Sequence, residues 1–179
     1  MNDHDRRENL LGAFVLAVAD RVRLETEAAI GHTGAAAAAL VTITQYPDRT
    51  VEFLRQTLGL SHPAAVRVVD RLVEQRLVRR RPAGSGPALA LAPTAAGRRR
   101  AREILELRQD VLANALPELS RAESATLCAI LERALAHLAD SPGTTICRLC
   151  DTRRCRRSDC PVVGRQRELG RPPPDPAPF

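Results

Sequence analysis

The sequence predicts a mostly α-helical fold carrying one small β-hairpin. Apolar side chains recur at helical spacing over long segments, as at Leu10, Phe14, Val18 and Val22. Only 2% of the 179 residues are aromatic while 44% are hydrophobic, so the core is aliphatic. Alanine and leucine dominate it, which favours helix over sheet. A single stretch, 77–92, reads as two short strands about a Pro/Gly turn at 82–87.

Taken in order, a long amphipathic helix is expected from about Asp5 to Ile30, broken by "GHTG" at 31–34. "AAAAALVTITQ" at 35–45 reads as a second helix, small-faced and able to pack closely, and "YPDR" ends it in a turn. Thr50 caps a short helix with Val51, Leu54 and Leu58 on one face. Gly59 stands where a left-handed helix end favours glycine. Ser61 then starts another helix, with Pro63 in its first turn. The pair forms a helix-turn-helix candidate. In its second helix Val66, Val69, Leu72 and Val73 are expected inward. Ser61, His62, Ala64, Ala65, Arg67 and Val68 are expected outward, and Arg71 on the exposed side.

"LVRRR" and "ALALA" pair about "PAGSGP", a hairpin in the position of a wing. Thr94 caps a long helix carrying Ile104, Leu107, Val111, Leu112 and Ala115, closed by Pro117. "SRAE" at 120–123 is a capping box. It opens a last helix with Leu127, Ile130, Leu131, Ala134 and Leu138, running to about Ala139. Cys128 on that helix is expected as a small buried residue, and His137 as a surface residue. The terminal helices carry more apolar surface than the small central domain can cover, which calls for a homodimer.

Residues 60–81, "LSHPAAVRVVDRLVEQRLVRRR", and 94–97, "TAAG", resemble the MarR family of bacterial transcription regulators. The element order extends the resemblance over about 10–140, within a domain at about 5–140. It implies a winged helix-turn-helix at about 48–93, flanked by dimerisation helices at about 5–31 and 94–140. It implies a homodimer on double-stranded DNA, most often a repressor on a pseudo-palindromic operator, and no enzymatic activity. It also admits a small-molecule effector between the DNA-binding and dimer regions. Two departures stand out. The Asp-x-Arg usual near the family's wing tip is absent from "PAGSGP", and Gln75–Arg76 replace the usual residue–glycine step before Leu77.

The residues support the same surface. A net charge of +6 and a pI near 9.9, all of it from arginine, suit a polyanionic partner, although a generically basic surface would look similar. The first turns of a recognition helix enter the major groove. There Arg67 can place a bidentate fork on guanine, and Ser61 with the helix N-terminus suits a phosphate. The candidate DNA-contacting set is Ser61, His62, Ala64, Arg67 and Arg71, with Arg79, Arg80 and Arg81 on the flanking backbone.

The remaining motif is "CRLCDTRRCRRSDC" at 147–160. The protein reads as cytoplasmic: there is no secretory or lipidation signature and no apolar run of membrane-spanning length. In that compartment thiols stay reduced and structural disulfides are rare. Cys147, Cys150, Cys155 and Cys160 fit a closed, structural Zn2+ site within a segment at 144–163. The five interleaved arginines offset the charge of such a site and favour thiolates. An iron–sulfur cluster is the alternative, with proline after the last cysteine in its favour, and a metal-free redox pair is a third reading. No Cys/His/Asp set or nucleotide loop supports catalysis. A protein-binding regulator that uses the cysteine module without DNA is the rival from another class. Residues 164–179 read as a Pro-rich disordered tail.

Overall fold

The computed structural model describes residues 2–31, 35–82, 89–140, 146–154 and 157–171. It contains α1 (Asp3–Ile30), α2 (Ala36–Gln45), β1 (Arg49–Thr50), α3 (Val51–Leu58), α4 (His62–Glu74), β2 (Val78–Pro82), β3 (Leu89–Pro93), α5 (Ala95–Ala113), α6 (Arg121–Leu138) and α7 (Pro161–Glu168). Short 3₁₀ turns cover Ile146–Leu149 and Arg157–Asp159. The expected mostly helical architecture is present. Among the described residues no helix is long and apolar enough to cross a membrane.

Local chemistry sets most helix ends. Thr50 accepts a hydrogen bond from Phe53 N, Ser61 from Ala64 N and Thr94 from Gly97 N. Ser120 and Glu123 form the reciprocal capping box. Gly31 and Gly59 close α1 and α3 at φ 69° and 65°.

Helix α2 is the centre of the fold. Every residue from Ala36 to Gln45 is buried, and the helix packs against α1, α3, α4, α5 and β3. Four successive alanines permit that approach from all sides, and the Thr44 hydroxyl satisfies itself on Leu40 O at 2.8 Å. The core continues through Leu54, Val69, Leu72, Val78, Leu91, Ala101, Ile104 and Leu105.

The hairpin pairs Arg80 with Leu91, and its connection at 83–88 lies outside the described residues. A third strand joins it: β1 pairs with β3, giving the order β1-β3-β2. This strand was not expected, because two residues carry no alternation to read.

Four further expectations are corrected. The inward stripe of α4 is Ala65, Val69 and Leu72, so Ala65 is buried and Val66 only half-buried. Helix α5 ends at Ala113, before Pro117, and it buries Gly97, Ala101, Ile104 and Leu105, while Leu107, Val111 and Leu112 of its distal half are half-buried. Cys128 is exposed, because α6 buries none of its side chains within this chain. The tail expected from 164 begins inside α7, whose Val162, Val163 and Gln166 are buried. Gln166 Nε2 donates to Ala139 O, and Arg165 pairs with Asp140, so α7 docks on the end of α6. Residues 172–179 lie outside the described residues.

Candidate nucleic-acid interface and metal centre

The exposed side of the helix-turn-helix is formed by the start of α4. Ser61, His62, Arg67 and Arg71 are exposed, and Ala64 is half-buried. Burial of Ala65, Val69 and Leu72 against the core forces this orientation: with them inward, Arg67 faces solvent two residues from Ala65 and Val69 alike. The Ser61 hydroxyl is already engaged as the N-cap, accepting from Ala64 N at 3.4 Å.

The three wing arginines differ. Arg79 is exposed. Arg80 is held by Asp70 of α4, Nη2 to Oδ1 at 2.7 Å, which ties the wing to the recognition helix. Arg81 pairs with Asp48, which precedes β1. Arg80 and Arg81 therefore carry internal carboxylate partners, which sequence reading did not anticipate.

The junction into the wing is equally specific. Arg76 adopts a left-handed φ of 58°, where the resemblance leads one to expect glycine. Thr94 receives Arg76 and Leu77 into the next helix: its hydroxyl donates to Arg76 O at 2.8 Å and its N–H to Leu77 O at 2.9 Å. A Cβ on Gly97 would lie 2.0 Å from Leu77 O, so only glycine fits there.

The cysteine segment follows α6 in sequence but does not pack on that helix alone. It packs on α2 and α3, and Leu149 joins the main core. Gln45 Nε2 donates to Cys150 O at 2.6 Å. Buried Asp151 anchors the turn, receiving both Nε and Nη2 of Arg153 at 2.9 Å and the Arg153 N–H at 3.0 Å. These contacts hold the Asp151 carboxyl below its usual range. Cys147, Cys150 and Cys160 come together around a cavity of about 50 Å³, with Tyr46, Thr152, Arg157 and Val163. Burial, helped by the neighbouring thiols, pushes Cys147 up to about 11, and burial also raises the Tyr46 phenol. Cys155 lies outside the described residues. Among the described residues no three His, Cys, Asp or Glu side chains are drawn up as a ready cation site. The fit to a metal is therefore partial. Three thiols share this one small cavity.

A second cavity, of about 410 Å³, lies between α1, α2 and the cysteine segment. Val22, Arg23, Thr26, Ala38, Arg148 and Leu149 are among its walls. Sequence reading had singled out no residue there.

The sequence pattern of the MarR family matches residues 30–86. No curated protein matches the chain. A MarR family protein from Bacillus stearothermophilus is 25% identical, with a TM-score of 0.67 over 78% of this chain and 99% of that one. A MarR family protein of Mycobacterium tuberculosis solved in complex with DNA is 23% identical, with a TM-score of 0.55 over 69% and 96%. The same protein solved with salicylic acid gives 23% and 0.52 over 69% and 95%.

Proposed function

We propose that this chain is a MarR-like, dimeric DNA-binding transcription regulator, a repressor on a pseudo-palindromic operator, and not an enzyme. The observation that carries this reading is the start of α4, where His62, Arg67 and Arg71 stand exposed beside a wing tied to the same helix by Arg80–Asp70. That is the arrangement needed to place a helix end in a major groove. The Mycobacterium tuberculosis relative bound to DNA supports it. Dimerisation is supported by Leu10, Leu11, Phe14, Val15, Leu16, Ile130 and Leu131, all large, apolar and exposed on the two terminal helices. The relative solved with salicylic acid supports a small-molecule effector, and the 410 Å³ cavity is the space for one. Selection of duplexes from a randomised pool, followed by binding measurements on half-sites about one helical turn apart, tests the reading. Failure to enrich any sequence would leave the protein-binding alternative.

The cysteines carry a second, separable reading: Cys147, Cys150, Cys155 and Cys160 bind one structural Zn2+ per chain. The convergence of Cys147, Cys150 and Cys160 on one cavity supports a metal at this place, with an iron–sulfur cluster as the alternative to zinc. The ligand set gives no open position, so the ion would fold the segment and perform no hydrolysis. Elemental analysis with an absorption spectrum on anaerobically purified protein decides it. Colourless protein with one zinc per chain is expected. Brown protein with iron and sulfide would favour the cluster. Metal-free protein with four free thiols and a docked α7 would remove both.

A further inference from the structure

The C-terminal end of α1 is held from two directions. A helix leaves its last four carbonyls without partners inside the helix. Here the Gly31 N–H takes up two of them, lying 2.9 Å from Glu27 O and 3.3 Å from Ala28 O. The next two are met by other elements. Arg100 of α5 donates Nη1 to Ala29 O at 2.5 Å, and Gln75, which ends α4, donates Nε2 to Ile30 O at 3.3 Å. No basic residue stands in the last turn of α1 itself, so Arg100 supplies the positive charge favoured at the negative end of a helix. Glu103, one turn further along α5, pairs with the same guanidinium at 3.2 Å. Ile30 is itself buried in the main core.

Both donors stand on a fixed base. Gln75 leads into Arg76 and Leu77, whose carbonyls receive Thr94, and Leu77 O lies against Gly97, three residues before Arg100. The end of the recognition helix, the first turns of α5 and the end of α1 therefore meet at one joint. Elsewhere α1 packs chiefly on α5 and α2, and α4 on α3, α2 and β2.

We infer that Arg100 and Gln75 are positioning residues for DNA binding: by clamping the end of α1 they set the angle between the recognition helix and the dimer helices, and with it the half-site separation that the dimer accepts. The inference rests on the dimeric DNA-binding reading above. Its physical basis is leverage. Leu10, Leu11 and Phe14, exposed and assigned to the dimer surface, lie towards the other end of α1. From Ile30 back to Leu10 the helix runs about 30 Å, so a tilt of about 7° at the joint moves its far end by about 3.5 Å, close to one base-pair step. Apolar packing of α1 on α5 is non-directional and resists such a tilt weakly. Hydrogen bonds weaken as the donor leaves the line of the acceptor, so two of them, from different elements onto adjacent carbonyls, hold one angle.

The test uses the full chain and duplexes that carry the selected half-sites at the preferred separation and at one base pair more or less. The quantity read is the ratio of affinity at the preferred separation to affinity at its neighbours, beside the thermal midpoint and the base preference within a half-site. Arg100→Met and Gln75→Met keep an unbranched stem and remove the donors. The ratio should fall at least about threefold in the double variant and by less in each single one, with base preference unchanged. Arg100→Lys keeps a cation at the helix end and should stay near the native ratio. A role in stability alone would lower the midpoint and weaken every duplex alike with the ratio intact, and that result overturns the inference. So does an Arg100→Lys variant that loses the ratio as fully as Arg100→Met. If the double variant does not fold, an unchanged ratio in both single variants has the same force. A native chain that binds all separations equally overturns the inference and leaves the DNA-binding reading standing. A native chain that enriches no duplex overturns both together.

Discussion

Single residues at the base of the wing carry opposite strains. Arg76 pays for a left-handed conformation that a glycine would adopt freely. Arg76→Gly should raise stability by about 1 kcal/mol, the relieved strain outweighing the extra freedom of the unfolded chain. Thermal and urea melts would read the change. Gly97 shows the reverse case. Its missing side chain leaves room for the Leu77 carbonyl, and backbone cannot move aside as a side-chain tip can. Gly97→Ala should cost about 1–3 kcal/mol or more by the same melts. Arg67 is exposed on α4, away from the buried stripe. Arg67→Ala should leave the melt unchanged but weaken the selected duplex by about 1–3 kcal/mol, with relaxed preference at one base pair.

At the level of elements, the wing and the cysteine turn are each held by ion pairs whose effects can be separated. Arg79 points to solvent, whereas Arg80 is spent on Asp70. Arg79→Ala should weaken all duplexes alike and reduce the salt slope by about one unit. Arg80→Ala should also cost about 0.2–1 kcal/mol of stability, the range for a partly exposed pair. In the cysteine turn, hydrogen bonds from Arg153 lower the Asp151 pKa from an ordinary 3.8. A depressed carboxyl stabilises the fold above its unfolded pKa and loses that contribution as pH falls through the folded one. Docking of 146–154 should therefore hold at neutral pH and weaken below about pH 4. Limited proteolysis across that range would show whether the turn opens before the core.

On the scale of the whole molecule, α1 and α6 leave large apolar side chains exposed, the surface assigned to the proposed dimer. Ile130 and Leu131 are 48% and 50% exposed, and α6 buries no side chain within this chain. Ile130→Asp with Leu131→Asp should convert a dimer to monomers with the winged domain still folded. Sedimentation velocity would follow the mass and circular dichroism the fold. If the double variant kept the mass of a dimer, the dimer interface would have to lie elsewhere.

The sequence alone determined whatever depends on neighbours a few residues apart. The caps at Thr50, Ser61, Thr94 and Ser120, the glycine at 59, the helix-turn-helix and the paired wing strands all follow from hydrogen bonds and periodicities of that range. Tertiary structure decided the rest. Strand β1 exists only because β3 is there to pair with it. At the start of α4 the buried residue is Ala65 instead of Val66, while Val69 and Leu72 lie inward as expected. Cys128 is exposed on α6, a helix with no buried side chain among the described residues. The cysteine segment looks like an appendage in sequence, yet it lies against α2 and α3. Its docking depends on Gln45, Tyr46 and Leu149, contacts between residues far apart in the chain that no local pattern encodes.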